Sequence, residues 1–105
     1  MMVFTDHALR RWQQRMPSHV DRDADVSEAR RPTKKQVRLI NKGSPASLQR
    51  ARERPKRALK VTPAGAILVV ADDLEYPGKE VCVTVLSMAD VARKADRLQE
   101  WKRGS

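Results

Sequence analysis

The sequence predicts an α+β fold: N-terminal helices, a three- to four-stranded antiparallel meander, and a C-terminal helix. Three observations predict it. Leu9, Trp12 and Met16 recur at three and four residues near the front, which is helical spacing. Runs rich in β-branched residues, Leu59–Val61, Ala66–Ala71 and Val81–Leu86, follow one another with short turns between them. Met88, Val91, Ala95, Leu98 and Trp101 then return to helical spacing. A chain of 105 residues holds one core, so residues 1–105 are read as a single domain.

Taken in order, Thr5 is an N-cap, because its hydroxyl can accept a bond from an unpaired first-turn amide. Phe4 before it can staple onto Leu9, Asp6 suits the positive helix end, and Pro17 stops the helix. A polar loop follows, with a short helical turn at 25–31. Asp21, Asp23 and Asp25 alternate like the start of a calcium loop, but Val26 stands where glycine is required and Pro32 where glutamate is required. Two histidines, His7 and His19, and one cysteine, Cys82, make no zinc spacing, and nothing in the sequence implies a metal or a cofactor. Thr33-x-x-Gln36 is a capping box that opens a helix through about Asn41, with Val37 and Ile40 inward and Gly43 as its stop. Ser44-Pro45 starts a second, thinly apolar helix to about Arg54.

From Ala58 the period changes to two. Pro63-Ala64-Gly65 is turn chemistry, and 66–71 is continuous enough to be a central strand. A polar loop with Pro77-Gly78 separates it from 81–86, whose two faces are both apolar enough to be covered. Cys82 in that strand reads as a buried, inert thiol. Ser87 caps the last helix, with Asp90 as the reciprocal acid and Leu86–Val91 as the staple. Its apolar stripe is core, or the seam of a homodimer.

Charge is segregated. Between Arg30 and Lys60 stand 12 Lys/Arg and one acid, whereas 1–29 and 61–105 each sum to −1, against a total of +9. The cations are Arg30, Arg31, Lys34, Lys35, Arg38, Lys42, Arg50, Arg52, Arg54, Lys56, Arg57 and Lys60. Such a block is the footprint of a polyanion, and residues 30–57 are read as a basic helical segment that orders on a phosphate backbone. No aromatic residue interleaves with it, which argues against stacking as the main binding mode. No apolar run reaches membrane-spanning length, no signal-peptide core precedes the first helix, and one cysteine excludes an internal disulfide; a cytoplasmic protein without a membrane partner is expected.

His7, Arg11 and Arg15 recur at four-residue steps and share a stripe of the first helix. A solvated polar face is one reading. In the other, a histidine moves the 2′-hydroxyl proton of RNA while arginines hold the scissile phosphate. The pattern His7-Ala8-x-x-Arg11-x-x-x-Arg15, with the paired strands Ala66–Val70 and Val81–Leu86, resembles small RelE-like toxins and the wider barnase/EndoU/colicin/RelE ribonuclease group. That resemblance implies a sheet that takes RNA on one face and metal-independent cleavage to a 2′,3′-cyclic phosphate. His7 would be the acid or base, Arg11 and Arg15 would bind phosphate, and Thr84 would hydrogen-bond phosphate or ribose. Against the family pattern, the C-terminus carries a helix rather than a basic and tyrosine cluster, and the basic insert from Pro32 to Pro55 is long.

The expected function is therefore a small, toxin-like, nucleic-acid-binding protein of phage or mobile-element type, directed to RNA in preference to DNA. Three alternatives stand beside it. One is an endoribonuclease using His7 with Arg11 and Arg15. Another is an inhibitor whose basic face docks on an acidic host protein. The last is a helix-turn-helix DNA reader built from 33–41 and 44–54. A cleft shared by His7 and the basic segment would raise the enzyme reading; placement on opposite sides would end it.

Overall fold

Helices and a four-stranded mixed sheet make up the chain in a computed structural model that describes residues 2–43, 57–72 and 79–104. The order is β1 (Met2–Phe4), α1 (Asp6–Arg15), α2 (Arg22–Ser27), α3 (Lys34–Gly43), β2 (Arg57–Val61), β3 (Ala66–Asp72), β4 (Glu80–Ser87) and α4 (Met88–Gly104). The α+β class is as the sequence predicts. The expected second basic helix, 44–54, lies outside the described residues.

The sheet order is β1-β4-β3-β2. Strands β2, β3 and β4 form the expected antiparallel meander, closed between β2 and β3 by a turn in which Gly65 takes φ +93°. A left-handed φ of this kind is open to glycine and strained for other residues, which explains Gly65 at this turn. A fourth strand is within the expected count, but not at Met2–Phe4 and not in parallel. β1 pairs parallel to β4, with Val3 opposite Val81, so the sheet is mixed rather than wholly antiparallel. The physical reason is that Phe4 serves two elements at once: it ends β1 and immediately precedes the cap of α1.

Each face of the sheet buries a separate apolar layer. On one side Ala66, Leu68, Val70, Cys82 and Val85 pack against Ala8, Trp12 and Met16 of the α1 segment, with Val26 and Ala29 beside them. On the other, Ile67, Val69 and Leu86 pack against Ile40 of α3 and Val91 of α4. Strand β3 thus alternates between two cores and is buried throughout 66–70, which is why that run is continuously apolar. Burying each of its large side chains contributes about 1.5–3 kcal/mol. In β4 the register steps by one opposite Val69/Val70, a bulge that leaves Val83 as the extra residue and interrupts the strict alternation of 81–86.

The helix ends follow local chemistry. Thr5 Oγ1 accepts from the Ala8 amide at 3.1 Å and donates to the Val83 carbonyl at 3.4 Å, so one hydroxyl caps α1 and ties it to β4. Phe4 meets Trp12 edge-on, ring centroids 6.2 Å apart. The helix expected at 25–31 instead spans Arg22–Ser27, because Asp21 caps it by accepting from the Asp23 and Ala24 amides. The Thr33/Gln36 box forms reciprocally, at 2.8 and 3.2 Å. Asp90 pairs with Arg93 rather than reaching back to Ser87. Val91 and Ala95 of the α4 stripe are buried within the chain, so they are not available to a dimer seam; the side chains of Leu98 and Trp101 lie outside the described residues.

Candidate nucleic-acid interface

The capping box starts α3 at Lys34, and the apolar spacing fixes how it rolls. Ile40 is wholly buried and Gly43 lies against α4, so residues a half-turn away must face solvent. Those residues are Lys34, Lys35, Arg38 and Lys42, and all four are exposed. Arg30 and Arg31 precede them and are exposed as well. Ion pairs among the described residues are Arg22–Asp23, Lys60–Glu80 and Arg93–Asp90, so these six cations have no carboxylate partner there. Steps of four residues put Lys34, Arg38 and Lys42 on one line, about 6 Å apart along the axis. Like charges at that spacing destabilise an isolated helix by about 0.2–0.5 kcal/mol per pair.

Lys60 differs from the rest of the basic block. It is half-buried, and its ammonium contacts both carboxylate oxygens of Glu80, at 2.8 and 3.1 Å. It acts as a cross-strand tie rather than a free cation. Of the remaining expected contacts, Arg50, Arg52, Arg54, Lys56 and the side chain of Arg57 lie outside the described residues.

Arg30 is fixed by its backbone. It forms an isolated antiparallel bridge with Val61 at the outer edge of β2, through bonds of 3.0 and 2.8 Å. This bridge carries the chain from α2, on the α1 face of the sheet, around the β2 edge to α3 on the opposite face. Asp25 supports the same corner: it is 9% exposed, and its Oδ1 accepts from the Ala64 amide at 3.0 Å. Between the Ser27–Arg31 segment, the first turn of α3 and the end of β2 opens a cleft of about 550 Å³. Its charged lining is Arg30, Arg31 and Glu28. Sequence reasoning placed the two arginines but missed Ser27, Gln36 and Thr62 beside them, because only the β2 bridge brings these segments together.

The His7 group forms a separate cluster. His7 is exposed, and its Nε2 lies 3.3 Å from Thr84 Oγ1. Arg11 donates to Gln14 at 2.9 Å. The Arg15 Nε is buried without a hydrogen-bond partner, and burial, followed by the charge of Arg11, lowers the Arg15 pKa from its ordinary value. Of the four, His7 and Thr84 are in contact, and Arg15 feels the charge of Arg11 on the same helix. This group lies away from the basic segment. α1 lies over β4 and β1, whereas Arg30 is bonded to β2, at the other edge of the sheet. Two strand spacings of about 4.8 Å separate β4 from β2. α3 lies beyond the opposite face. The cleft at the β2 corner, which Arg30 and Arg31 line, does not include His7.

Among the described residues no group of His, Cys, Asp and Glu is placed to hold a metal ion, and no helix is long and apolar enough to cross a membrane. Comparison with protein-family models, curated proteins and solved structures finds no match.

Proposed function

We propose that this protein binds the phosphate backbone of nucleic acid, RNA in preference to DNA, and acts by contact rather than by cleavage. The observation that carries the reading is the row Arg30, Arg31, Lys34, Lys35, Arg38 and Lys42, exposed and without carboxylate partners among the described residues. A row of like charges destabilises the free helix and becomes favourable on a polyanion, which releases counterions as it binds. The order of elements, with helices ahead of a meander, supports kinship with RelE-like domains, and a toxin-like or phage setting belongs to the same proposal. Cytoplasmic residence is part of it too, since that is where such a ligand is met.

Contact without cleavage is supported by the separation of His7 from this row. A ribonuclease needs its proton-transfer group and its phosphate-holding cations on one reacting phosphate, and beside His7 the Arg11 guanidinium is engaged by Gln14 while the Arg15 Nε is buried. The test is a salt titration of RNA binding by the purified chain, run beside a cleavage assay. Log affinity should fall linearly with log salt, and His7→Ala should bind as the parent does. A flat salt response overturns the backbone reading. RNA cut to 2′,3′-cyclic ends by the parent and not by His7→Ala overturns contact alone and restores the enzyme. Tight binding to an acidic protein with no RNA affinity would favour the inhibitor.

A further inference from the structure

We propose that the cleft at the β2 corner receives an unpaired nucleobase, so that the bound nucleic acid is single-stranded where it crosses Arg30 and Arg31. This rests on the backbone-binding reading and specifies its ligand. The volume, about 550 Å³, falls within the roughly 300–1,000 Å³ of pockets that enclose small molecules. It is too large for a phosphate alone. Ala29, Val61 and Pro63 give it apolar walls against which a flat ring can lie.

The polar groups that line the cleft are donors in the main, with the Glu28 carboxylate as an acceptor for the exocyclic amine of a base. Thr62 is 4% exposed, and its Oγ1 already accepts from the Ala66 amide at 3.0 Å. Its hydroxyl hydrogen is left to donate. Gln36 Oε1 is taken by the Thr33 amide, which leaves the Gln36 amide NH₂ as donor. Arg30 and Arg31 add only donors. Carbonyl oxygens and ring nitrogens on a base edge match this set. The guanidinium planes of Arg30 and Arg31 can stack on the same base or hold its phosphate, a mode typical of single-stranded RNA recognition. This supplies stacking without the aromatic residues that the basic segment lacks. Lys34 and Lys35 stand in the chain between the lining residues Thr33 and Gln36, so a strand following the α3 cations can reach its mouth. A duplex backbone can follow those cations too, but its bases stay paired and cannot enter without first being flipped out.

The experiment uses the whole chain with a labelled single-stranded RNA and the same RNA annealed to its complement, at one low salt concentration. The single strand should bind more tightly. Ser27→Trp, at an exposed cleft position, fills the space with no change of charge. It should weaken single-strand binding by about tenfold, the share of one bound base, and leave duplex binding unchanged. Equal loss on both probes, or no loss on the single strand, overturns the cleft. Absence of binding to either probe overturns the backbone reading as well. Should Ser27→Trp fail to fold, hydrogen exchange on the parent chain decides. The single strand must protect amides in 27–31 and 61–64 that the duplex leaves exchanging; identical protection by the two probes overturns the proposal.

Discussion

Cys82 shows how one side chain can be read from sequence and then given a consequence. It stands in an apolar strand, is wholly buried, and its Sγ lies 3.3 Å from the Thr84 carbonyl. Burial pushes the thiol up to about 12. A thiol whose folded pKa is raised keeps its proton while the unfolded chain loses it. Its contribution to stability is therefore intact below the unfolded pKa of about 8.5 and lost as pH rises toward 12, by at most about 1.4 kcal/mol per pH unit. Urea midpoints of the parent and Cys82→Ala, compared from pH 8 to pH 11, should converge as pH rises, because the alanine chain lacks this term. A difference that stays constant with pH would contradict the buried-thiol reading. Asp25 makes a second case. Its carboxylate holds the Ala64 amide at the β2–β3 turn. Asp25→Ala should destabilise the chain by about 1.5–3 kcal/mol, the worth of a hydrogen bond to a charged group. An unchanged urea midpoint would show that water replaces the carboxylate.

Among the elements, α3 and α4 meet closely at Gly43. A Cβ built there would lie 2.1 Å from the Val91 carbonyl oxygen, a backbone atom that cannot swing aside. Gly43→Ala should therefore push α3 off α4 and cost about 1–3 kcal/mol, despite the better helix propensity of alanine. A midpoint that rises on this change would mean the helices are further apart. The sequence marked Gly43 only as a helix stop. Its second role was hidden because Val91 is far along the chain. The same division runs through the fold. Thr5, the Thr33/Gln36 box, Pro63–Gly65 and the three meander strands were legible, since caps, turns and periodicity are properties of neighbouring residues. β1 was not. Three residues are too few to show a period of two, and their partner, Glu80–Cys82, is met only after the rest of the sheet exists. The Arg30–Val61 bridge and the Lys60–Glu80 tie were equally out of reach, being contacts with no local signature. In the candidate site, the α3 cations were legible as charge and helix phase, whereas the cleft beside them was not.

For the whole molecule, the question is whether net charge or its placement governs binding. A total of +9 would attract a polyanion from any direction, but attraction at a distance is screened within about 8 Å at physiological salt. What survives screening is direct contact, and direct contact depends on which cations share a side. The sheet separates them: α3 on one face carries Lys34, Arg38 and Lys42, while Arg10 on α1 sits on the other. Each phosphate neutralised on a single strand contributes about 0.7 to the slope of log affinity against log salt. Replacing Lys34, Arg38 and Lys42 together by glutamine should then lower that slope by about 2. Arg10→Gln removes an exposed cation from the other face and should leave the slope where it is. Slopes from fluorescence titrations at several salt concentrations separate the two ideas. Equal reductions in both variants would show that the protein binds as a diffuse positive body, and the α3 row would have no special claim on the phosphate chain.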